Sequence, residues 1–355
     1  MIVKRIKRRE QAKFLPTLFL LLSLFSFQNI ANAQMPDSIR HYLDTVITIA
    51  QKESFYTHNV NWKSLRKEMY AKAAEARKSS DLKSSFQLML ESLGDYHGGV
   101  YFADGAMAEY RLPKTRPGSP ELDTIQAMLR KKAFRLTSRT IDQQWGYLLI
   151  PSIGGIGSEQ LTRNARLIQD EVNKINAKGV KGWVIDLRYN PGGNIYAVAT
   201  GMAAFIPEGA YLQYIKSNHQ PAFRLQMESS NLYTQGFKPT SLEKIEHIIP
   251  ESVPVMVLVS RFTSSAGEML AYLLRQRKNC IIIGEETGGY CSGTTYLDLG
   301  NVGLNITTGY PIHPNGNIFS SLQPDLALQT KHSPANIEKD KLVQKAIAML
   351  KAEIE

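Results

Sequence analysis

The chain has 355 residues, 43% hydrophobic and 21% charged, which excludes a disordered chain and suits a globular protein with one large domain or two ordinary ones. Its net charge of +10 points to nucleic acid only until it is divided. Lys4, Arg5, Lys7, Arg8, Arg9 and Lys13 stand against Glu10 in the first 33 residues, which leaves +5 on the rest and no basic stripe interleaved with aromatics. Two cysteines are too few for a disulfide scaffold, and neither CxxC nor HExxH spacing occurs, so neither a metal nor another cofactor is expected.

Residues 1–33 have the three parts of a secretory signal: a basic start, an apolar run from Phe14 to Phe27, and Ala31-Asn32-Ala33 at the cleavage position. The run is interrupted by Pro16 and falls short of the roughly 20 residues that span a bilayer. The expected product starts at Gln34 and is exported, to a periplasm or the cell exterior, without stable membrane insertion.

Residues 34–94 read as a helical region. Trp62, Leu65, Met69 and Ala73 form one stripe at helical spacing, and Leu82, Phe86, Met89, Leu90 and Leu93 form another, with Ser80-Asp81 as a cap. Gly94 ends the second helix, and LGDYHGGVYF passes into a short strand near His97. Prolines and glycines break the pattern to about Arg139, apart from a short helix near Ile125 to Lys132. Strands are predicted at Phe134–Ile141 and Gly146–Ile153, then a helix through Leu161, Ala165, Ile168, Val172 and Ile175. GWVIDLRYNPGGN is a buried strand running into a glycine turn, and Tyr211–Ser217 and Phe223–Met227 are short strands before a polar stretch to about Ile249. VPVMVLVSRFTSSAGE is another buried strand leading into the helical run Met269–Leu274, followed by strands at Cys280–Gly284, Thr294–Leu299 and Gly303–Thr308. A helix over 339–352 closes an α/β chain; the units are a core over 95–335 behind the helical region, with 336–355 packed on it.

Three segments carry chemistry. Ser265, with Glu268 three residues later, reads as a capping box, and a serine at a helix start also sits where the dipole favours developing negative charge. The Pro-Gly-Gly turn at 191–193 lets backbone approach a ligand closely and aims N–H groups outward, the material of an oxyanion hole. Asp186 and Arg188 share a strand face and form a structural ion pair holding that turn. His97, flanked by glycines, is the candidate base without which a serine hydroxyl is a poor nucleophile. Cys280 and Cys291 are either one bridge or two free thiols.

In order and spacing, LGDYHGG, VIDLRYNPGG, VLVSRFTSSAGEMLAYLL, IIGEETGG and LQPDLAL resemble the tail-specific, or C-terminal-processing, family of serine peptidases, which includes the tricorn core. The resemblance covers roughly residues 36 to 335. It implies a mixed-sheet, crotonase-like α/β core preceded by a helical region, and a peptide or protein substrate. It also implies Ser265 as nucleophile and an oxyanion hole from the amides of Gly192 or Gly193 and of Ala266. The processing branch takes a lysine base from a TxGK loop, where this chain has Thr287-Gly288-Gly289-Tyr290. It resembles instead the tricorn-like branch, whose histidine corresponds to His97. That branch also has a serine before the histidine, here Tyr96, and a glutamate near the final Pro-Asp, which Ile318, Phe319, Ser320 and Ser321 do not supply. Glu285, Glu286 and Asp95 are the acidic candidates for orienting His97. About 46 residues separate His97 from Gln144, fewer than the roughly 50 of a small independent domain, so no PDZ domain is expected. The alternative is a catalytically silent peptide- or small-ligand-binding module on the same fold. Oligomeric state is not legible.

Overall fold

The structure, a computed structural model, describes residues 35–111, 118–243, 248–329, 332–334 and 336–354; the leader over residues 1–33 lies outside the described residues. Helices Asp37–Glu53, Trp62–Lys72 and Lys83–Leu93 come first. Their stripes form a core in which Leu82, Phe86, Met89, Leu90 and Leu93 have no exposure, and Gly94 ends the third helix in the left-handed conformation at φ 78°. Asp81 accepts from the N–H groups of Arg77 and Lys78 and so caps a turn of 3-10 helix, Ser79–Leu82, that feeds the third helix.

Thirteen strands follow among the described residues. They are β1 (Gly99–Phe102), β2 (Met107–Ala108), β3 (Thr137–Ile141), β4 (Trp145–Leu149), β5 (Gly182–Asp186), β6 (Tyr211–Ile215), β7 (Pro221–Glu228), β8 (Asn231–Thr234), β9 (Val255–Val259), β10 (Cys280–Gly284), β11 (Gly293–Asp298), β12 (Val302–Ile312) and β13 (Leu326–Ala327). One sheet has the order β13-β10-β9-β5-β4-β3, parallel except for the β3–β4 hairpin. The other runs β2-β1-β12-β6-β7-β8, with β11 also on β12.

Every residue of β4, β5 and β9 is buried, because the parallel sheet is covered on both faces. Leu148, Ile185 and Val257 join a core shared with helices Ser158–Asn176 and Ala266–Arg275 and with strands β6 to β8. Tyr147, Val184 and Met256 point the other way, into a core closed by helix Lys341–Ala352 and by Ile125 of helix Pro120–Arg130. The three N-terminal helices pack against β1 and β12 in a third cluster. Between β1 and β3 the described residues hold only β2 and helix Pro120–Arg130.

Among the elements that differ from expectation are helix Pro120–Arg130, which begins before the expected Ile125, the unpredicted β2 and β13, and two further strands. β12 extends to Ile312, because beyond its pairing with β1 and β11 it goes on to pair with β6. β8 has no sequence signal: its hairpin to β7 turns at Ser229 and Ser230, both at positive φ (47° and 64°), where glycine or asparagine normally marks such a turn. Among the described residues no helix is long and apolar enough to cross a membrane. Cys280 and Cys291 are free thiols.

Candidate active site

The site lies at the carboxyl ends of β5, β9 and β10, three adjacent parallel strands whose loops are tied to one another. The loop after β5 starts from a buried charge network. Asp186 accepts from Arg188 at both oxygens (Nη2 2.7 Å, Nε 3.0 Å) and from the Tyr147 hydroxyl at 2.8 Å. Arg188 Nη1 also reaches both oxygens of Asp340 at 2.9 Å, and Asp340 in turn caps helix Lys341–Ala352. The ion pair expected from the strand spacing is thus part of a triad that anchors the glycine turn to the last helix.

The loop after β9 is stitched to the same turn. Ser260 Oγ donates to the Arg188 carbonyl (2.6 Å), Thr263 Oγ1 to that of Leu187 (2.8 Å), and Ser264 N–H to that of Asn190 (2.9 Å). These bonds present Ser265 at the start of helix Ala266–Arg275 with φ 53° and ψ −118°, a conformation that costs on the order of 1–3 kcal/mol for a residue with a side chain. Gly192 lies against it: a Cβ there would stand 2.9 Å from Ser265 Cβ and 3.4 Å from its Oγ. A Cβ on Gly193 would run into the Ile153 carbonyl, so backbone crowds this turn from both sides.

The two glycine amides differ. Gly192 N–H donates to Asn190 Oδ1 at 2.9 Å, whereas no hydrogen bond from Gly193 N–H occurs among the described residues. The Ala266 N–H, at the first helical position, has no intrahelical acceptor. Gly193, Ser265 and Ala266 border one cavity of about 390 Å³.

Glu268 does more than cap. Its Oε2 accepts from the N–H groups of Ser265 and Tyr290, both at 2.8 Å, and its Oε1 from Gly289 N–H at 3.0 Å and from the Thr287 hydroxyl. One fully buried carboxylate therefore clamps the loop after β10 to the serine turn. Burial pushes its pKa up, and these four hydrogen bonds oppose the shift.

His97 enters from the other sheet, just before β1. Its Nδ1 lies 2.7 Å from Ser292 Oγ, and Ser292, itself buried, borders the same cavity as Ser265. The ring packs edge-on against Tyr290, centroids 5.4 Å apart. Burial lowers its pKa below the ordinary histidine value, outweighing the upward pull of Asp95 and of the Ser292 contact. No hydrogen bond joins His97 and Ser265 among the described residues.

The three acidic candidates have other partners. Asp95 accepts from the His97 and Gly98 N–H groups (3.3 and 2.8 Å) and from Thr307, and so holds the backbone of the turn and not the ring. Glu285 pairs with Arg261 at 3.0 Å, and Glu286 accepts from Ser321 Oγ at 2.6 Å. Tyr96 donates from its hydroxyl to the Gly289 carbonyl at 3.0 Å. Sequence reasoning missed Ser292 as the partner of the ring. It is 195 residues from His97, and a serine in a glycine-rich loop carries no signal of its own.

The model of Peptidase family S41 matches residues 144–328, a span that contains the glycine turn and Ser265 but not His97. The chain is 23% identical over 310 residues to the nisin-resistance protein of Lactococcus lactis subsp. lactis, covering 85% of this chain and 87% of that protein. It is 30% identical over 138 residues to the carboxy-terminal processing protease CtpA of Bacillus subtilis, a match spanning 38% of this chain and 26% of the protease. A lipoprotein from Streptococcus agalactiae has the same fold, with a TM-score of 0.67 at 16% identity over 91% of this chain and 100% of that one. A photosystem II D1 C-terminal processing protease superposes with a TM-score of 0.50 at 17% identity, over 86% of this chain and 96% of that one. With more than half of its length matched by the family model, the chain belongs to peptidase family S41.

Proposed function

We propose that this protein is an exported serine peptidase that hydrolyses peptide bonds through an acyl-enzyme on Ser265, with His97 as general base. Ser265 Oγ attacks the scissile carbonyl carbon while His97 takes its proton, and the carbonyl oxygen, now an oxyanion, is held by the amides of Gly193 and Ala266. His97 returns the proton to the leaving amine as the C–N bond breaks. Water, deprotonated by the same ring, then releases the acyl group as a carboxylic acid. Because Nδ1 faces Ser292, the neutral ring serves as base through Nε2, with Nδ1–H donating to Ser292 Oγ. Ser292 thereby takes the orienting place that Glu285, Glu286 and Asp95 leave unfilled. Gly192 contributes through its closeness to Ser265, its amide being occupied by Asn190.

The observation that carries this reading is the strained backbone of Ser265, pressed against a glycine turn and bordering the cavity that also contains the partner of His97. A fluorophosphonate probe tests it by rate of modification. Wild type is expected to react, Ser265→Ala not to react, and His97→Ala to react at least about a hundredfold more slowly. Equal rates in all three proteins would sink the proposal.

One observation favours a silent binding module on the same fold, namely that no hydrogen bond links His97 and Ser265. Catalytic hydrogen bonds are often formed only once substrate is bound, so the reactive reading is preferred. The export signal and the unit boundaries at residues 33/34, 94/95 and 335/336 belong to the proposal as well. N-terminal sequencing of the protein recovered outside the cytoplasm is expected to begin at Gln34; retention of the leader there, or recovery only inside the cell, would contradict export.

A further inference from the structure

The proposed base and nucleophile stand on loops of different sheets with no hydrogen bond between them among the described residues, yet one glycine is gripped from both sides. The N–H of Gly289 donates to Glu268 Oε1 at 3.0 Å, and Glu268 Oε2 accepts the Ser265 N–H at 2.8 Å. The carbonyl of the same glycine accepts the Tyr96 hydroxyl at 3.0 Å, and Tyr96 immediately precedes His97. Tyr290, next along the loop, packs edge-on against the rings of both Tyr96 and His97, with centroids 5.3 and 5.4 Å apart. The loop after β10 is thus fastened to the serine turn through one side of Gly289 and to the histidine turn through the other.

The Tyr96 hydroxyl is itself held in one direction. It lies 3.2 Å from the hydroxyl of Tyr310 on β12, which lies 2.6 Å from that of Tyr56, just beyond the first helix. A carbonyl only accepts, so the single proton of Tyr96 goes to Gly289, Tyr310 donates to Tyr96, and Tyr56 donates to Tyr310. Burial pushes the pKa of all three phenols up, so each keeps the proton that this order needs. Phe55 N–H fastens the Tyr56 end to β12 through the Thr307 carbonyl at 2.8 Å, and the N–H and hydroxyl of Thr307 hold Asp95.

We infer that Tyr96 is a positioning residue: by holding the Gly289 carbonyl it fixes how far the His97 ring stands from Ser265 Oγ, and Tyr310 and Tyr56 keep its hydroxyl aimed. The inference rests on Ser265 as nucleophile and His97 as base. A misplacement of about 1 Å can cost on the order of a hundredfold in rate, so a bond that sets this separation is worth more to the reaction than to the fold.

Two variants test it by the rate of fluorophosphonate labelling. Tyr96→Phe and Tyr310→Phe each remove one hydroxyl and two hydrogen bonds, so each is expected to lower Tm by a similar, small amount. Their labelling should differ. Tyr96→Phe cuts the link to Gly289 and is expected to slow labelling at least about tenfold, whereas Tyr310→Phe leaves that link and should slow it no more than about threefold. In the His97→Ala background Tyr96→Phe should change the rate less than about twofold, because no ring is left to position. Four outcomes would overturn the inference alone: an unslowed Tyr96→Phe, equal slowing by both variants, an undiminished loss in the His97→Ala background, or a Tyr96→Phe protein that no longer unfolds cooperatively. Absence of labelling at Ser265 in wild type overturns the catalytic reading, and this one with it.

Discussion

Three side chains around Ser265 have separable duties, and each leaves its own experimental trace. Ser292 bonds the His97 ring at 2.7 Å and has no hydrogen bond to another catalytic candidate among the described residues, so Ser292→Ala is expected to slow fluorophosphonate labelling about tenfold with little change in Tm. Because Ser292 is neutral, the imidazolium that the proposed mechanism forms has no carboxylate hydrogen-bonded to its ring. Burial accordingly holds the His97 pKa down, and the ring stays a free base to lower pH than usual. The acid limb of the labelling rate is therefore expected below the ordinary histidine value of about 6.5, and Ser292→Asp should move it upward; a limb above 6.5 in wild type would contradict this arrangement. In stability terms the sign follows from the unfolded chain binding the proton first. His97 makes the fold less stable as pH falls below about 6.5, a loss that stops growing once pH passes the lowered folded pKa. Glu268 acts by clamping. In Glu268→Gln the amide group faces two of the four donors it should accept from, which leaves them unpaired at about 1–3 kcal/mol each. Both Tm and labelling rate are expected to fall, whereas a purely local capping role would lower Tm and leave the rate alone.

At the scale of elements, the site exists because three parallel strands end side by side and their loops share hydrogen bonds. The glycine turn after β5 is the most sensitive of these. Gly192 has φ 119° and no room for a Cβ beside Ser265, so Gly192→Ala is expected to displace the serine and abolish labelling while the cooperative unfolding transition survives. Retained labelling would show that the approach of this turn is not required. Much of this was legible beforehand. All-apolar runs gave β5, β9 and β10, and the junctions DLRYNPGG and TSSAGE stood out because each breaks such a run with residues suited to turns and helix starts. Less legible was whatever depends on partners distant in sequence. Glu268 is visible as a capping box, but its grip on the loop after β10 is not, since Gly289 and Tyr290 offer only backbone N–H groups. Nor could spacing show that Asn190 occupies the amide of Gly192 and leaves that of Gly193.

For the whole molecule, the site lies between two sheets that share one core, and His97, the proposed base, comes from one sheet while Ser265, the proposed nucleophile, comes from the other. His97 depends on β1, which is braced by the N-terminal helices, and Asp95 ties its turn to Thr307 of β12. Alignment of the proposed base and nucleophile is thus a property of how the sheets pack, which is why sequence could propose both residues yet not their separation. The Asp186–Arg188–Asp340 triad sets the other side of that alignment by fixing the glycine turn to the last helix. Asp340→Ala leaves Arg188 Nη1 without its acceptor and the last helix without its cap while Asp186 still neutralises the guanidinium, and is expected to cost about 1–3 kcal/mol in a denaturant titration, against less than about 1 kcal/mol for the exposed pair Lys52–Glu53. The central claim, that these pieces make an acyl-transfer centre at Ser265, is tested most directly by mapping where a fluorophosphonate bonds to the native protein by peptide mass spectrometry. A single adduct on Ser265 is predicted. An adduct on Ser292, or none at all, would contradict the account.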